Sequence, residues 1–246
     1  MYNGKTISVI FPTYNEKDSI RKVINDFDEL GIVDELIVIN NNATEGTTEE
    51  VAQTNAVEYH EPIQGYGAAI RCGFDKATGD MVVVCEPDDT FLADDIYKLL
   101  SYAGDVEIVY GSRTVSEFIW KGANMGRFLQ VGNWATAKIL EILFNTNSLS
   151  DVGCTFRLIN REALDLLNPQ FRVNSNFFGP EMMILSYQNK IPSVQIPLRY
   201  KERVGESSVT GDLWKAFKLG IQMIILIFGK RVGLDNITVK LLEKKW

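Results

Sequence analysis

Two carboxylates one residue apart close a run of apolar side chains: Val82-Val83-Val84-Cys85 leads into Glu86-Pro87-Asp88. Extended backbone puts alternate side chains on one side, so Glu86 and Asp88 share a face. Hard divalent cations such as Mg2+ or Mn2+ take oxygen ligands, commonly one or two carboxylates completed by substrate phosphates. The pair therefore offers a place for a cation that acts as Lewis acid and clamp on a phosphate-bearing leaving group. A plainer reading stands beside it, because acidic residues also follow strands as helix caps, and Asp89 or Thr90 fits that role. Gly65-Tyr66-Gly67 invites comparison with a dinucleotide-binding turn. It lacks the G-x-G-x-x-G order and precedes the third helix of the pattern, so a dinucleotide-binding reading fails. The single histidine, His60, builds neither a histidine metal cluster nor a Ser-His-Asp triad.

These residues need a scaffold, and the chain alternates short apolar runs with helical patterns. Strands are predicted at 6–14, 34–41, 56–60, 80–85 and 106–110. Helices are predicted over 20–30, where Ile20, Val23, Ile24, Phe27 and Leu30 recur at helical spacing, and over 47–55, 65–78 and 93–102. Such β-α-β-α order implies a mostly parallel sheet with helices on both faces, joined by right-handed crossovers. Ligands of such sheets sit outside the carboxyl ends of the strands. Three strand ends carry polar clusters, Thr13-Tyr14-Asn15-Glu16, Asn40-Asn41-Asn42 and Glu86-Pro87-Asp88-Asp89, which the topology brings to one rim. Further on, helices are predicted over 122–145 and 178–189, and a strand over 193–203.

With 246 residues, 46% hydrophobic, the chain has the length and core of one α/β domain. Three cysteines without paired spacing suggest reduced interior residues, not a disulfide framework or a zinc site. No signal peptide is read at the start, where 7–14 is strand-like. A net charge of −7 argues against nucleic acid as a partner, but it divides unevenly: residues 213–246 carry +5 and the remainder −12. The basic end is expected to face something anionic, or to be a solvated tail.

The stretch from Glu61 to Asp80 joins a glycine-rich turn, an arginine one helical turn later and a Gly-Asp entry into the acidic strand. Together with Pro12-Thr13-Tyr14-Asn15-Glu16 and Gly111-Ser112-Arg113, it resembles the family 2 nucleotide-sugar glycosyltransferases, across about residues 7–113. The resemblance implies a Rossmann-like GT-A fold and an inverting, metal-dependent transfer of sugar from a nucleoside-diphosphate sugar. It implies that Pro12, Tyr14, Glu16, Asn40 and Asn41 hold base and ribose, and that Gly67 admits the nucleotide to the backbone. Arg71 would support the acidic loop or the phosphates. Glu86, Pro87 and Asp88 would form the metal loop, with Glu86 and Asp88 as ligands to Mg2+ or Mn2+ and Asp88 the direct one. Two departures stand out: Asn40-Asn41 replaces the usual acidic pair, and Glu86 replaces the first Asp.

Gly126-Arg127-Phe128, the SDVGCTFRL of 150–158 and the YKERVGESS of 200–208 are similar to the dolichol-phosphate mannose synthase branch of that family. There the acceptor is a polyprenyl phosphate, which implies phosphate contacts from Arg113, Arg127 and Arg203 with Ser207 nearby. Ser208 stands where that branch frequently has a lysine. Asp151 is the candidate general base if the acceptor is instead a sugar hydroxyl of a lipid-linked glycan or capsule precursor. An already ionised phosphate needs no base, and Asp151 would then orient its loop or an arginine. A non-catalytic nucleotide-sugar-binding subunit is the alternative outside enzymes.

Residues 213–230 place Trp214, Phe217, Ile221, Ile224, Ile225 and Phe228 on an apolar face, with Lys215, Lys218 and Gln222 opposite. The uncharged run 219–229 falls short of the roughly 20 residues that span a bilayer, so an amphipathic C-terminal helix at a membrane surface is predicted. A buried core or dimer helix is the alternative, which leaves a homo-oligomer open. The predicted organisation is one domain, 1–246. It comprises a nucleotide-sugar half (1–113), an acceptor half (114–210) and a membrane-associated segment (211–246) that works peripherally at the cytoplasmic face.

Overall fold

The computed structural model describes residues 1–146, 148–205 and 213–244. Seven strands form one sheet: β1 (Ile7–Thr13), β2 (Glu35–Asn40), β3 (Val57–His60), β4 (Met81–Val84), β5 (Ile108–Ser112), β6 (Arg157–Asn160) and β7 (Ser193–Pro197). Their order is β3-β2-β1-β4-β6-β5-β7. All neighbours are parallel except β6, which runs antiparallel to both β4 and β5. The sheet is thus mostly parallel, as its β-α-β-α sequence requires.

Helices α1 (Lys17–Asp28), α2 (Thr47–Val51), α3 (Tyr66–Lys76) and α4 (Ile96–Tyr102) follow the first four strands. Central strands β1 and β4 are buried on both faces, which explains their unbroken apolar runs. One face packs Ile10, Val82 and Val84 with Phe74 and Phe178. The other packs Val9, Phe11 and Val83 with Ile20, Ile24 and Phe27. Parallel register sets Ile10 beside Val84 and Thr13 beside Asn40, so the three polar clusters leave the sheet at one rim.

The second half differs more from expectation. The strand predicted over 193–203 ends at Pro197. Beyond it the chain turns away because Arg199 donates its N–H and Nε to the buried Asp95, at 2.7 Å each. Tyr200 then pairs with Phe118 and Trp120 backbone, and Lys201 N–H reaches the Thr90 carbonyl. That detour lays residues 200–204 against the acidic loop.

α5 (Arg127–Phe144), α6 (Arg161–Leu167) and α7 (Phe178–Gln188) complete the body. α8 (Leu213–Arg231) and α9 (Asp235–Glu243) form a hairpin, turned at Gly233 with φ +76°. α8 packs beside α5, and no helix among the described residues is long and apolar enough to cross a membrane. Gln222 is buried together with Met223, Leu226 and Ile227, whereas Trp214 (72% exposed), Phe217, Ile221, Ile225 and Phe228 face outward. The polar and apolar sides of α8 therefore differ from a simple wheel: Gln222 sits on the packed side beside Met223, Leu226 and Ile227, while Trp214, Ile225 and Phe228 are left exposed.

The hairpin is held by charge as well as by packing. Lys230 and Glu181 lie 2.8 Å apart with side chains 1% and 0% exposed. The contact is an ion pair at Glu181 Oε1 without hydrogen-bond alignment, while Oε2 accepts the N–H groups of Arg172 and Val173. On α9, Glu243 accepts the N–H groups of Asn174 and Ser175 and the Ser175 hydroxyl. Two carboxylates thus fix the strip 172–175 to the C-terminal hairpin.

Candidate active site

The turn after β1 is built by Glu16. Its Oε2 accepts the N–H groups of Tyr14 (2.7 Å) and Asn15 (2.9 Å), which closes the turn into α1. After β4, Ser19 donates to the Pro87 carbonyl at 2.6 Å, while Asp88 Oδ1 accepts Thr90 N–H (3.0 Å) and hydroxyl (2.6 Å). Val204 N–H donates to the Asp88 carbonyl, so the 200–204 segment pairs with this loop. It delivers Arg203 between the acids: Nη1 meets Asp88 Oδ2 at 2.9 Å and Nη2 meets Glu16 Oε1.

Glu16, Glu86 and Asp88 are crowded, and their electrostatics show it. Burial, and then the neighbouring Asp88 charge, push the Glu86 carboxyl up to about 8, against the pull of Arg203. Burial also raises Asp88, and Arg203 and the Thr90 hydrogen bonds oppose it. Such a cluster of buried oxygen donors around a cationic group suits a hard divalent ion. No group of three or more His, Cys, Asp or Glu side chains forms a complete ligand set among the described residues. A cation held here by Glu86 and Asp88 therefore depends on a ligand's own oxygens to complete its shell.

Asp151 is buried against Arg113, and its carboxylate is fully engaged. It accepts the N–H (3.0 Å) and Nε (2.9 Å) of Arg113 at Oδ2, and Arg113 Nη2 (3.0 Å) and Gly153 N–H (2.9 Å) at Oδ1. Burial alone would raise this carboxyl, but the Arg113 charge and these bonds outweigh it and hold it below the usual range. Gln195 braces the loop, accepting Ser150 and Asp151 N–H and donating to the Asp151 carbonyl. Arg113 also lies over the Tyr200 ring, 5.4 Å from its centre.

A cavity of about 820 Å3 joins these parts. One end is lined by Pro12, Tyr14, Glu16, Asn41, Glu86, Asp88, Arg113 and Arg203. The other runs between α5 and α8, past Phe128, Leu129, Phe217, Ile221 and Ile224. Most residues singled out in the sequence thus meet around one space.

Others are placed elsewhere. Asn40 braces the end of β2, donating to Glu58 and Thr48 and accepting Ala43 N–H. Asn41 reaches the cavity, but all four of its hydrogen-bond positions shape residues 61–65: Nδ2 donates to the Glu61 and Ile63 carbonyls and Oδ1 accepts from Gln64 and Gly65. A carboxylate could accept the last two but not donate the first two, which is a local reason for Asn at this position. Gly67 allows a close approach, though to protein: an added Cβ would lie 2.5 Å from the Val173 carbonyl. Arg71 donates to Asn174 Oδ1 at 2.8 Å on a separate surface recess, away from the acidic loop. Pro87 contributes its carbonyl to Ser19. Arg127 is exposed in the first turn of α5 and makes no ion pair among the described residues. Ser207 lies outside the described residues.

Sequence reading assigned no role to Arg157, which lines the cavity at 4% exposure. It donates to the Cys154 and Gly179 carbonyls, and has no carboxylate partner among the described residues. A charged residue opening a short strand whose centre, Leu158-Ile159, is apolar was the available signal. Nor did it single out Glu243 or Glu181, whose partners include residues 174–175 and Lys230, distant in sequence.

Residues 8–167 match the family described as Glycosyl transferase family 2. A dolichyl-phosphate hexose transferase of Haloferax volcanii is 26% identical over 210 residues, covering 85% of this chain and 88% of that protein. A low-salt glycan biosynthesis hexosyltransferase of the same organism is 26% identical over 218 residues, and this chain spans 52% of its length. Among solved structures, glucosyl-3-phosphoglycerate synthase from Mycobacterium tuberculosis superposes with a TM-score of 0.73 at 21% identity, covering 94% of this chain and 81% of that one. That structure holds Mn2+, uridine-diphosphate-glucose and phosphoglyceric acid. At such identity the likeness establishes the shared fold. By the extent of the family match, the chain belongs to glycosyl transferase family 2.

Proposed function

We propose that the chain transfers a sugar, with inversion, from a nucleoside-diphosphate sugar to a polyprenyl phosphate held at a membrane surface. The observation that carries this reading is the continuity of one cavity from the carboxylate cluster to an apolar cleft between α5 and α8. A water-soluble donor and a lipid acceptor require those two environments side by side.

The chain's own residues supply most of what the reaction needs. Glu86 and Asp88 would hold Mg2+ or Mn2+, which when bound offsets the charge growing on the departing nucleoside diphosphate. Pro12, Tyr14 and the loop that Asn41 shapes border the donor end. Arg113, fixed by two hydrogen bonds from its guanidinium to Asp151, presents a planar cation suited to phosphate oxygens. Asp151 acts here as a positioning residue. Its four hydrogen bonds leave no basic oxygen free, and an ionised phosphate nucleophile needs no proton removed.

Membrane placement rests on the outward side of α5, α8 and α9. Trp134, Trp214, Phe217, Ile221, Phe228 and Ile237 are exposed there, with Lys218, Arg231, Lys240 and Lys244 exposed on the same hairpin. Apolar anchors flanked by lysine and arginine suit an anionic lipid surface. The relative named a dolichyl-phosphate hexose transferase supports a lipid acceptor for this chain.

The test is transfer of radiolabel from a panel of nucleotide sugars, with Mn2+, onto undecaprenyl phosphate or onto a lipid-linked saccharide. Label on undecaprenyl phosphate supports the reading. Label confined to the saccharide refutes the acceptor, and no transfer to either from any donor refutes the activity.

A further inference from the structure

The guanidinium of Arg203 occupies the place where a cation would bind. It touches both Asp88, at 2.9 Å, and Glu16, and it is the charge that most opposes burial at Asp88. Its seat is incomplete, because Nε is buried without an acceptor among the described residues. The segment that carries it is tied to the acidic loop by backbone bonds on either side, Lys201 to Thr90 and Val204 to Asp88. Lys201 Nζ also meets Asp89 Oδ1 at 2.7 Å. Arg203 is therefore delivered to the acids by design of the chain path, and its side chain can leave while the backbone stays.

We propose that Arg203 is the resident counter-ion of the metal-free site, exchanged for a divalent cation when that cation arrives with a nucleoside diphosphate. This rests on the reading of Glu86 and Asp88 as a cation site. The two buried carboxylates of Glu16 and Asp88 that meet here need a positive partner, since buried like charges repel. A guanidinium meets that need while the site is idle, and an incoming ion must compete with it for Asp88. Displaced, the guanidinium remains within the same cavity, with its donor fork free for phosphate oxygens. The site would then take up metal weakly alone and tightly with the nucleotide, whose phosphates receive both the ion and the released arginine.

Manganese resonance reads free Mn2+ directly and needs no turnover. Mn2+ alone is titrated into the wild type, Arg203→Gln and Arg203→Lys, then again with uridine or guanosine diphosphate present. Arg203→Gln is expected to bind Mn2+ alone about tenfold more tightly, about 1.4 kcal/mol. Arg203→Lys keeps the competing charge and is expected to bind as weakly as the wild type. The nucleotide should tighten Mn2+ far more in the wild type than in Arg203→Gln. Equal Mn2+ affinity in the wild type and a folded Arg203→Gln, with Mn2+-dependent nucleotide binding intact, overturns the exchange and leaves the transferase reading standing. Absence of Mn2+-dependent nucleotide binding in the wild type overturns both.

Discussion

Replacing Lys230 by methionine leaves the Glu181 carboxylate without its cation at a point sealed from water. The two side chains are 1% and 0% exposed and 2.8 Å apart, so solvent cannot substitute for the lost charge. Breaking one half of a buried pair costs about 3–5 kcal/mol, because the surviving charge keeps its desolvation penalty. For a chain of this length that corresponds to a fall in Tm of roughly 10 °C. The damage should also reach the cavity, since Glu181 Oε2 holds the N–H groups of Arg172 and Val173 beside the lining residues Asn174 and Ser175. Urea unfolding followed by tryptophan fluorescence measures the midpoint, and nucleotide titration measures the site. Adding Glu181→Gln removes the stranded charge, and the double variant should recover on the order of half of the loss. A single variant within about 0.5 kcal/mol of the wild type, or a double variant worse than the single, refutes this account of how α8 is docked.

Four further outcomes follow from particular contacts. Glu86 loses its proton near 4.5 when unfolded and near 8 when folded, so the metal-free protein should lose stability as pH rises between those values. Melting curves in chelator at pH 5, 7 and 9 should show that decline in the wild type and a smaller one in Glu86→Gln, where the raised Asp88 carboxyl remains. The Asp151 carboxyl is held low, so its stabilising pair with Arg113 is complete above the ordinary carboxylate range and lost on acidification below it. The stability gap between wild type and Asp151→Asn should therefore be constant from about pH 5 to 8 and close below about pH 4. Gly65→Ala places a Cβ 2.1 Å from the Asn174 carbonyl at a residue with φ +147°, and should cost about 2 kcal/mol or more in urea unfolding. Phe228→Glu with Ile237→Glu should abolish co-sedimentation with anionic vesicles while leaving the melting temperature nearly unchanged, since both side chains are exposed and neither lines the cavity.

The first half of the fold was legible because its signals are local. β1 and β4 are buried on both faces, so their apolar runs stand out, and helices α1 and α3 show one apolar face each. Glu86 and Asp88 were readable because a strand end must place them at the rim. β6 was not readable: four residues, one of them an arginine, make a strand only through pairing with β4 and β5. Residues 198–203 continued the strand pattern, but the buried Asp95 draws Arg199 out of the sheet, a contact across 104 residues. The same distance effect hid what Arg203 touches. The family resemblance implied ligand contacts for Asn41 and Arg71, whereas the hydrogen bonds they make within the chain are to residues 61–65 and to the side chain of Asn174. On α8 the helical spacing was plain, but which side faces the body is decided by α5 and α7, so Gln222 could not be assigned to the interior in advance.

Crystals grown with Mn2+ and a nucleoside diphosphate, measured at the manganese absorption edge, test the cation site most directly. An anomalous peak bound to Asp88 is expected, with Glu86 turned toward it, phosphate oxygens completing the shell and Arg203 withdrawn from Asp88. Nucleotide seated in the cavity with no anomalous peak at Asp88, and Arg203 still paired to it, would rule out a cation at these two carboxylates.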